Sequence, residues 1–181
     1  MKVPILKGPR IVLRPLKVSD ASNYVRWFRD KEVVQYFNQY VWRITLEKEK
    51  SAIRKLQRNK KEPTWAIEVE GRHIGGTGIV LNVEDKTGSW GIVIGEKDEW
   101  GKGYAGEIIN LCAKYFFEKL KGERFELQVE MENKRAIKAY EKAGFKFDGV
   151  LRSIKYSKVL KRRIDNGVMS ILRDEWSKNI K

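Results

Sequence analysis

A change of period between residues 89 and 120 constrains this chain more than any other feature. Residues 89–94 alternate as a strand. Ile108, Leu111, Cys112, Tyr115 and Phe116, with Leu120 a turn later, recur at steps of three and four, the stripe of an amphipathic helix. Between them lies Glu99-Trp100-Gly101-Lys102-Gly103-Tyr104-Ala105-Gly106-Glu107. A strand that runs through glycines into a helix exposes backbone N–H groups at the positive end of the helix dipole, which is a pyrophosphate site by its physics. Gly101 and Gly103 let phosphates approach the backbone, and Lys102 adds a charge. The spacing is not that of a P-loop, because no Gly-Lys-Ser/Thr follows. Gly101 to Gly106 fits G-x-G-x-x-G, but it follows an antiparallel meander and leads towards Glu130 rather than to an acid closing a parallel strand.

The flanking segments define the class. Residues 11–16 read as a first strand, Ser19-Asp20 as a helix start, and Tyr24, Trp27 and Phe28 follow at helical spacing. Thr45 is placed to cap a second helix with Leu46, Ile53 and Leu56 on one face. The aromatic-rich stretch 33–42, with Tyr36, Phe37, Tyr40 and Trp42, either roofs a pocket or packs on the core. Residues 65–69, 74–83 and 88–94 form an antiparallel meander; 125–129 alternate as a further strand; Asn133 caps a helix ending at Gly144. Residues 145–156 and 166–172 close with an antiparallel pair. The fold class is therefore mixed α/β, one domain over residues 1–181, with a central sheet flanked by helices.

Composition excludes several functions. With 181 residues, 41% apolar and 11% aromatic, the chain buries a core without staples. The single cysteine, Cys112, excludes an internal disulfide framework, and the single histidine, His73, excludes a multi-histidine metal site; no metal is expected. Cys112 falls on the apolar helix face and reads as core, while His73 beside a turn reads as solvent-exposed. No run is apolar enough to span a bilayer and no signal peptide is evident, so a reduced, cytoplasmic setting is expected. The net charge of +14 attracts polyanions or reflects a heavily charged surface. Lys158, Lys161, Arg162 and Arg163 are a nucleic-acid or ribosome contact, or a solvated hairpin tip.

Some thirty residues beyond the glycine loop stands Asn133-Lys134-Arg135-Ala136-Ile137-Lys138-Ala139-Tyr140-Glu141-Lys142-Ala143-Gly144-Phe145. Together with Trp100-Gly101-Lys102-Gly103-Tyr104-Ala105, it resembles the GCN5-related N-acetyltransferases, specifically the ribosomal-protein N-terminal acetyltransferase-like (RimJ/RimL-type) branch. Leu13-Arg14-Pro15-Leu16, Asp30-Lys31-Glu32-Val33 and Glu175-Trp176 fit that branch more weakly. The resemblance implies a mostly antiparallel seven-stranded sheet, splayed between its middle strands, with about four flanking helices and acetyl-CoA in the split.

It also implies roles. The backbone of Val93, Ile94 and Gly95 would pair with the pantetheine arm, with N–H groups near Ile94 and Gly95 serving a developing oxyanion. The loop Trp100, Gly101, Lys102, Gly103, Tyr104, Ala105 and Gly106 would hold the pyrophosphate through its amides. Asn133 would bond the pantetheine chain. Lys102, Arg135 and Lys138 are phosphate partners or solvated surface charges. Tyr140 would protonate the departing thiolate. The base is not fixed by the motif, and Glu68, Glu84 and Glu96 are candidates, as is a water chain. Trp100 stands where the family often has Gln or Arg, so a side-chain contact to the pyrophosphate from there is not expected.

The function implied is direct acetyl transfer from acetyl-CoA to a primary amine, either a protein N-terminus or a small amine. Two alternatives use the same fold: a basic nucleic-acid or ribosome-associated binding protein, and a CoA-binding module without turnover. A homodimer is compatible with the chain.

Overall fold

In a computed structural model, residues 3–36, 44–157 and 160–179 are described, with side chains to residue 177. Phe37, Tyr40, Trp42 and Lys158 lie outside them. The chain opens with β1 (Leu6–Lys7) and β2 (Val12–Pro15), then a 3-10 turn (Val18–Asp20), α1 (Ala21–Arg29) and α2 (Leu46–Arg58). A meander follows: β3 (Thr64–Val69), β4 (Arg72–Asn82) and β5 (Thr87–Ile94). A second 3-10 turn (Lys97–Glu99) leads to α3 (Tyr104–Lys114), which continues as a π-turn (Tyr115–Lys119). β6 (Arg124–Glu130), α4 (Lys134–Lys142), β7 (Lys146–Ser157), β8 (Arg162–Leu172) and α5 (Arg173–Asn179) complete it.

The strands form one sheet in the order β1-β2-β3-β4-β5-β6-β8-β7, so eight strands replace the seven expected. The addition is β1, a two-residue strand in which Leu6 pairs with Leu13 and Lys7 with Val12. Nothing so short carries a periodic signal. Five α-helices are described rather than about four; the extra one, α5, is held by Trp176 stacking on Phe117 at 5.7 Å.

Two apolar layers cover the two faces of the sheet. Beneath α3 lie Trp65, Ile67, Ile74, Ile79, Trp90, Ile108, Cys112 and Phe125. Beneath α1 and α2 lie Leu16, Tyr24, Trp27, Ile53, Ala66 and Val93. β3 therefore serves both layers, with alternate side chains to each. The caps predicted at Thr45 and Asn133 form: Thr45 Oγ1 accepts from Lys48 N at 3.3 Å, and Asn133 Oδ1 from Ala136 N at 3.2 Å. Asp20 does other work. Its carboxylate takes Arg14 Nη1 and Nη2 at 2.7 and 2.8 Å and Lys17 N at 2.8 Å. Among the described residues no helix is long and apolar enough to cross a membrane.

Candidate active site

Every neighbouring pair in the sheet is antiparallel except β5 with β6, which run parallel for three residues only: Thr87 to Arg124, Gly88 to Phe125 and Ser89 to Glu126. Beyond Ser89 the two strands part. β6 pairs onward with β8, leaving residues 90–94 with one edge free. The split expected between the middle strands is here.

Which groups line that edge follows from the register of β4 with β5. Gly95 N donates to Ile74 O at 2.8 Å, and Thr77 Oγ1 to Gly91 O at 2.9 Å, so Gly91 and Gly95 turn their polar groups towards β4. Antiparallel pairs alternate, so Val93, opposite Gly76, does the same, while Ile92 and Ile94 turn theirs into the split. This corrects the sequence-based expectation: of Val93, Ile94 and Gly95, only Ile94 presents its backbone there, and Ile92 joins it. The Gly95 amide, spent on Ile74, is no oxyanion donor, whereas the Ile94 amide faces the split.

Trp100 fixes the end of this edge. Its Nε1 donates to Ile94 O at 2.8 Å, and the Arg135 guanidinium lies 5.0 Å from its ring centroid. The indole is thus a strut between β5 and the loop, and one face of it anchors an arginine of α4. From there the chain enters the glycine loop. Gly101 and Gly103 hold φ of 81° and 82°, the left-handed region that suits glycine, and Gly103 is the N-cap of α3. The first amides of α3 have no intrahelical acceptor. A Cβ built on Gly101 or Gly106 would meet nothing within 4 Å, so the space at these two positions is open to an anion at the helix N-terminus.

The charges around the loop are partly committed. Lys102 Nζ donates to Glu99 at 2.9 Å, an ion pair that raises its pKa. Arg10, which no motif singles out, pairs with Glu107, donates from Nη1 to Lys102 O at 3.0 Å and lies 4.8 Å from the Tyr104 ring centroid. It ties the bend between β1 and β2 to the loop. Lys138 is exposed. Asn133 spends Oδ1 on its cap, which leaves its amide N–H groups for a ligand.

Tyr140 of α4 packs beside the point where the split opens. Its ring meets Trp90 edge-on at 5.8 Å, and Trp90 is the first β5 residue past the last pair with β6. Burial pushes the phenol up to about 12. The carboxylates proposed as base do not hold up. Glu84 is in the exposed turn between β4 and β5, at the closed end of the split. Glu68 accepts Arg14 Nε at 2.6 Å. Glu96 accepts from Arg26, from Arg72 Nη2 at 2.9 Å and from Trp27 Nε1 at 2.9 Å. Burial works against its charge, but these donors win and hold its carboxyl below the usual range, so it is a weak proton acceptor. It is the knot that joins α1, β4 and the turn after β5.

His73 is not exposed as its turn position suggests. Its ring packs 4.8 Å from Trp27 and 5.6 Å from Tyr24. Nε2 lies 2.9 Å from Gly75 O, which can only accept, so Nε2 carries the proton and Nδ1 accepts from Asn23 Nδ2 at 3.0 Å. Burial lowers its pKa, which suits this neutral form. Cys112 is core, as its helix position implies, and burial pushes the thiol up to about 12. In the last hairpin Arg162 pairs with Glu132, and Arg163 Nε donates to Ser153 Oγ at 2.6 Å, so two of the four basic residues at the tip are internally engaged. Among the described residues no group of His, Cys, Asp or Glu could hold a metal.

On the opposite face, between α1, α2 and the sheet, is a cavity of about 490 Å³. Tyr24, Phe28, Ile53 and Leu56 wall it, and Ser89 to Val93 border it, so it reaches the free edge of β5. The volume suits a small molecule. Tyr36 is not among its lining residues. One that is, Glu49 of α2, was not singled out by sequence. The available signal was its register: it stands three residues after Leu46 and four before Ile53, so it is a carboxylate on the apolar face.

Comparisons with known proteins agree with this geometry. A family model described as "Acetyltransferase (GNAT) domain" matches residues 10–146, and the chain belongs to that family. It is an acetyl-CoA-dependent N-acetyltransferase. It is 28% identical over 178 residues to an uncharacterized N-acetyltransferase, p20, from Bacillus licheniformis, covering 93% of this chain and 96% of that one. Its fold is similar to that of spermidine N-acetyltransferase from Vibrio cholerae in complex with CoA and spermine, with a TM-score of 0.85, 22% identity and coverage of 93% and 99%. It is also similar to the microcin C7 self-immunity acetyltransferase MccE in complex with acetyl-CoA and AMP, with a TM-score of 0.80, 17% identity and coverage of 91% and 93%.

Proposed function

We propose that residues 1–181 act as one N-acetyltransferase domain that moves the acetyl group of acetyl-CoA directly to a primary amine. The observation that carries this reading is the free edge of β5, which runs through the Trp100 strut into the open amides of the glycine loop. In this reading the amides from Gly101 to Gly106 hold the pyrophosphate, with Asn133 and the backbone of Ile92 and Ile94 on the pantetheine. Arg135 and Lys138, two of the four cations on α4, are its phosphate partners in this reading. The bound thioester supplies an activated acetyl carbon.

The residues then divide the work of acyl transfer. The Ile94 N–H stabilises the oxygen as it gains charge. Tyr140, protonated at every pH near neutrality, gives its proton to the departing thiolate. The amine enters from the cavity under α1 and α2, which meets the same stretch of β5. Within the family, Leu13-Arg14-Pro15-Leu16 and Glu175-Trp176 favour the ribosomal-protein N-terminal acetyltransferase-like branch. Both a protein N-terminus and a small amine belong to the acceptor class.

Acetyl-CoA binding measured by calorimetry, followed by thiol release against a panel of peptides and small amines, tests this. Micromolar binding with amine-dependent release is expected. Binding without release on any amine would make the protein a CoA-binding module, and no binding would remove the loop assignment.

A further inference from the structure

The acceptor cavity has mostly apolar walls, and one of its two carboxylates is in an unusual state. Glu49 is 8% exposed, and its carboxyl makes no hydrogen bond or ion pair among the described residues. A buried carboxylate without a partner is costly and rarely kept without use. Glu49 lines the cavity together with the Ser89-to-Val93 edge, so it faces the space from which an acceptor reaches the thioester.

The groups around it leave its charge uncompensated. From α1 comes the Tyr24 hydroxyl, whose pKa burial raises, so it is a neutral neighbour. Behind Tyr24, Asp20 is already neutralised by Arg14. The segment before β3 contributes Glu62, which accepts Asn59 Nδ2 at 3.0 Å. The floor from β4 and β5 is Gly76, Thr77, Gly78 and Val80 with the β5 edge, none of which titrates. On α2 itself, Lys50 is taken by Glu47 at 2.9 Å. No described cation faces Glu49.

We propose that Glu49 is the general base of the acceptor site, taking the ammonium of a primary amine carried on a compact apolar body. The inference rests on the acetyltransferase reading above. The ammonium gives one proton to Glu49, and the neutral nitrogen attacks the thioester carbon. The C–N bond forms as the C–S bond breaks, and the thiolate takes the proton of Tyr140. The second proton leaving nitrogen replaces, by way of water, the one Tyr140 gave. Glu49 sheds its own to solvent, so one proton is released per turnover. The body of the acceptor is apolar because the walls are. A polyamine needs several anionic partners, and the described lining offers only Glu49 and Glu62.

Burial raises the Glu49 pKa, and this gives the test a distinctive sign. The acid limb of kcat/KM should lie above the ordinary glutamate range. Folding disfavours the charged carboxylate, so stability conferred at low pH is lost as pH rises through the folded pKa. Glu49→Gln should therefore match or exceed the wild-type melting temperature at pH 8 and lose that advantage at pH 4.

The experiment compares wild type, Glu49→Gln and Glu49→Ala on phenethylamine, isoamylamine, spermidine, an aminoglycoside and a short peptide, with acetyl-CoA affinity measured alongside. For Glu49→Gln a fall in kcat/KM of about a hundredfold or more is expected, with the acid limb gone and acetyl-CoA affinity within twofold of wild type. Added formate should partly restore Glu49→Ala. Activity within threefold of wild type and an unchanged pH profile would overturn the base assignment. Preference for spermidine, the aminoglycoside or the peptide over both monoamines would overturn the substrate class. A wild-type protein that binds no acetyl-CoA would bring down the acetyltransferase reading itself, and this inference with it.

Discussion

Burial of the Tyr140 phenol against Trp90 and Phe145 pushes its pKa up to about 12, so the group carries its proton at neutral pH, as the proposed donor role requires. Tyr140→Phe keeps the ring and removes only that proton. It should lower kcat by about a hundredfold while acetyl-CoA affinity, read by calorimetry, stays within twofold. A residue of equal consequence for folding is Asp20. Burial alone would raise its carboxyl, but Arg14 and the Lys17 amide overcome that and hold it below the usual range. Its stabilising contribution is therefore present above the unfolded carboxylate pKa and is lost as pH falls through the lower folded value. Asp20→Asn should cost stability at pH 7 and progressively less on acidification, as melting curves at several pH values would record. Tyr140 was legible in the sequence because its motif names it. Glu49 was not, because a carboxylate on an amphipathic helix reads as a solvated charge until the opposing sheet is placed over it.

The element on which the proposed cofactor site rests is the turn from β5 through Trp100 to the first turn of α3. Two residues there, Gly101 and Gly103, hold left-handed backbone, and the amides beyond them face open space. Gly103→Ala strains the backbone by about 1–2 kcal/mol without adding charge. Gly103→Glu adds an anion to the same strain. The alanine variant should bind acetyl-CoA somewhat more weakly; the glutamate variant should bind at least tenfold more weakly than the alanine one, by calorimetry. Equal affinities would mean that the loop does not hold phosphate. At Gly95, at the start of this turn, the constraint is close approach. The Trp27 indole lies on Gly95, where a Cβ would overlap the ring. Gly95→Ala should therefore destabilise by about 1–3 kcal/mol in denaturant unfolding, as overpacking does. The loop and its helix could be read from glycine spacing and the switch of period. The direction of each β5 amide could not, because it depends on which strand lies on which side.

At the scale of the whole molecule, the net charge of +14 sits on a surface whose cations are often paired internally, as with Arg72 on Asp98 at 2.7 Å and Arg173 on Glu123 at 3.1 Å. The excess still repels itself, so the melting temperature should rise as salt is raised from about 10 mM to about 150 mM, where screening shortens to roughly 8 Å. A fall would mean that the ion pairs outweigh the repulsion. The sequence by itself determined the mixed α/β class, the antiparallel meander, the glycine loop leading into the central helix and the Asn133-to-Gly144 helix. Each of these rests on short-range periodicity, caps and turn residues that a local stretch carries complete. Only the tertiary structure decided that the split opens after Ser89, that Ile92 and Ile94 face it, that Glu96 and Glu68 are consumed by arginines and that Glu49 is left unpaired. These outcomes depend on partners far apart in the chain, and a carboxylate becomes either an anchor or a base according to which side chains the fold brings beside it.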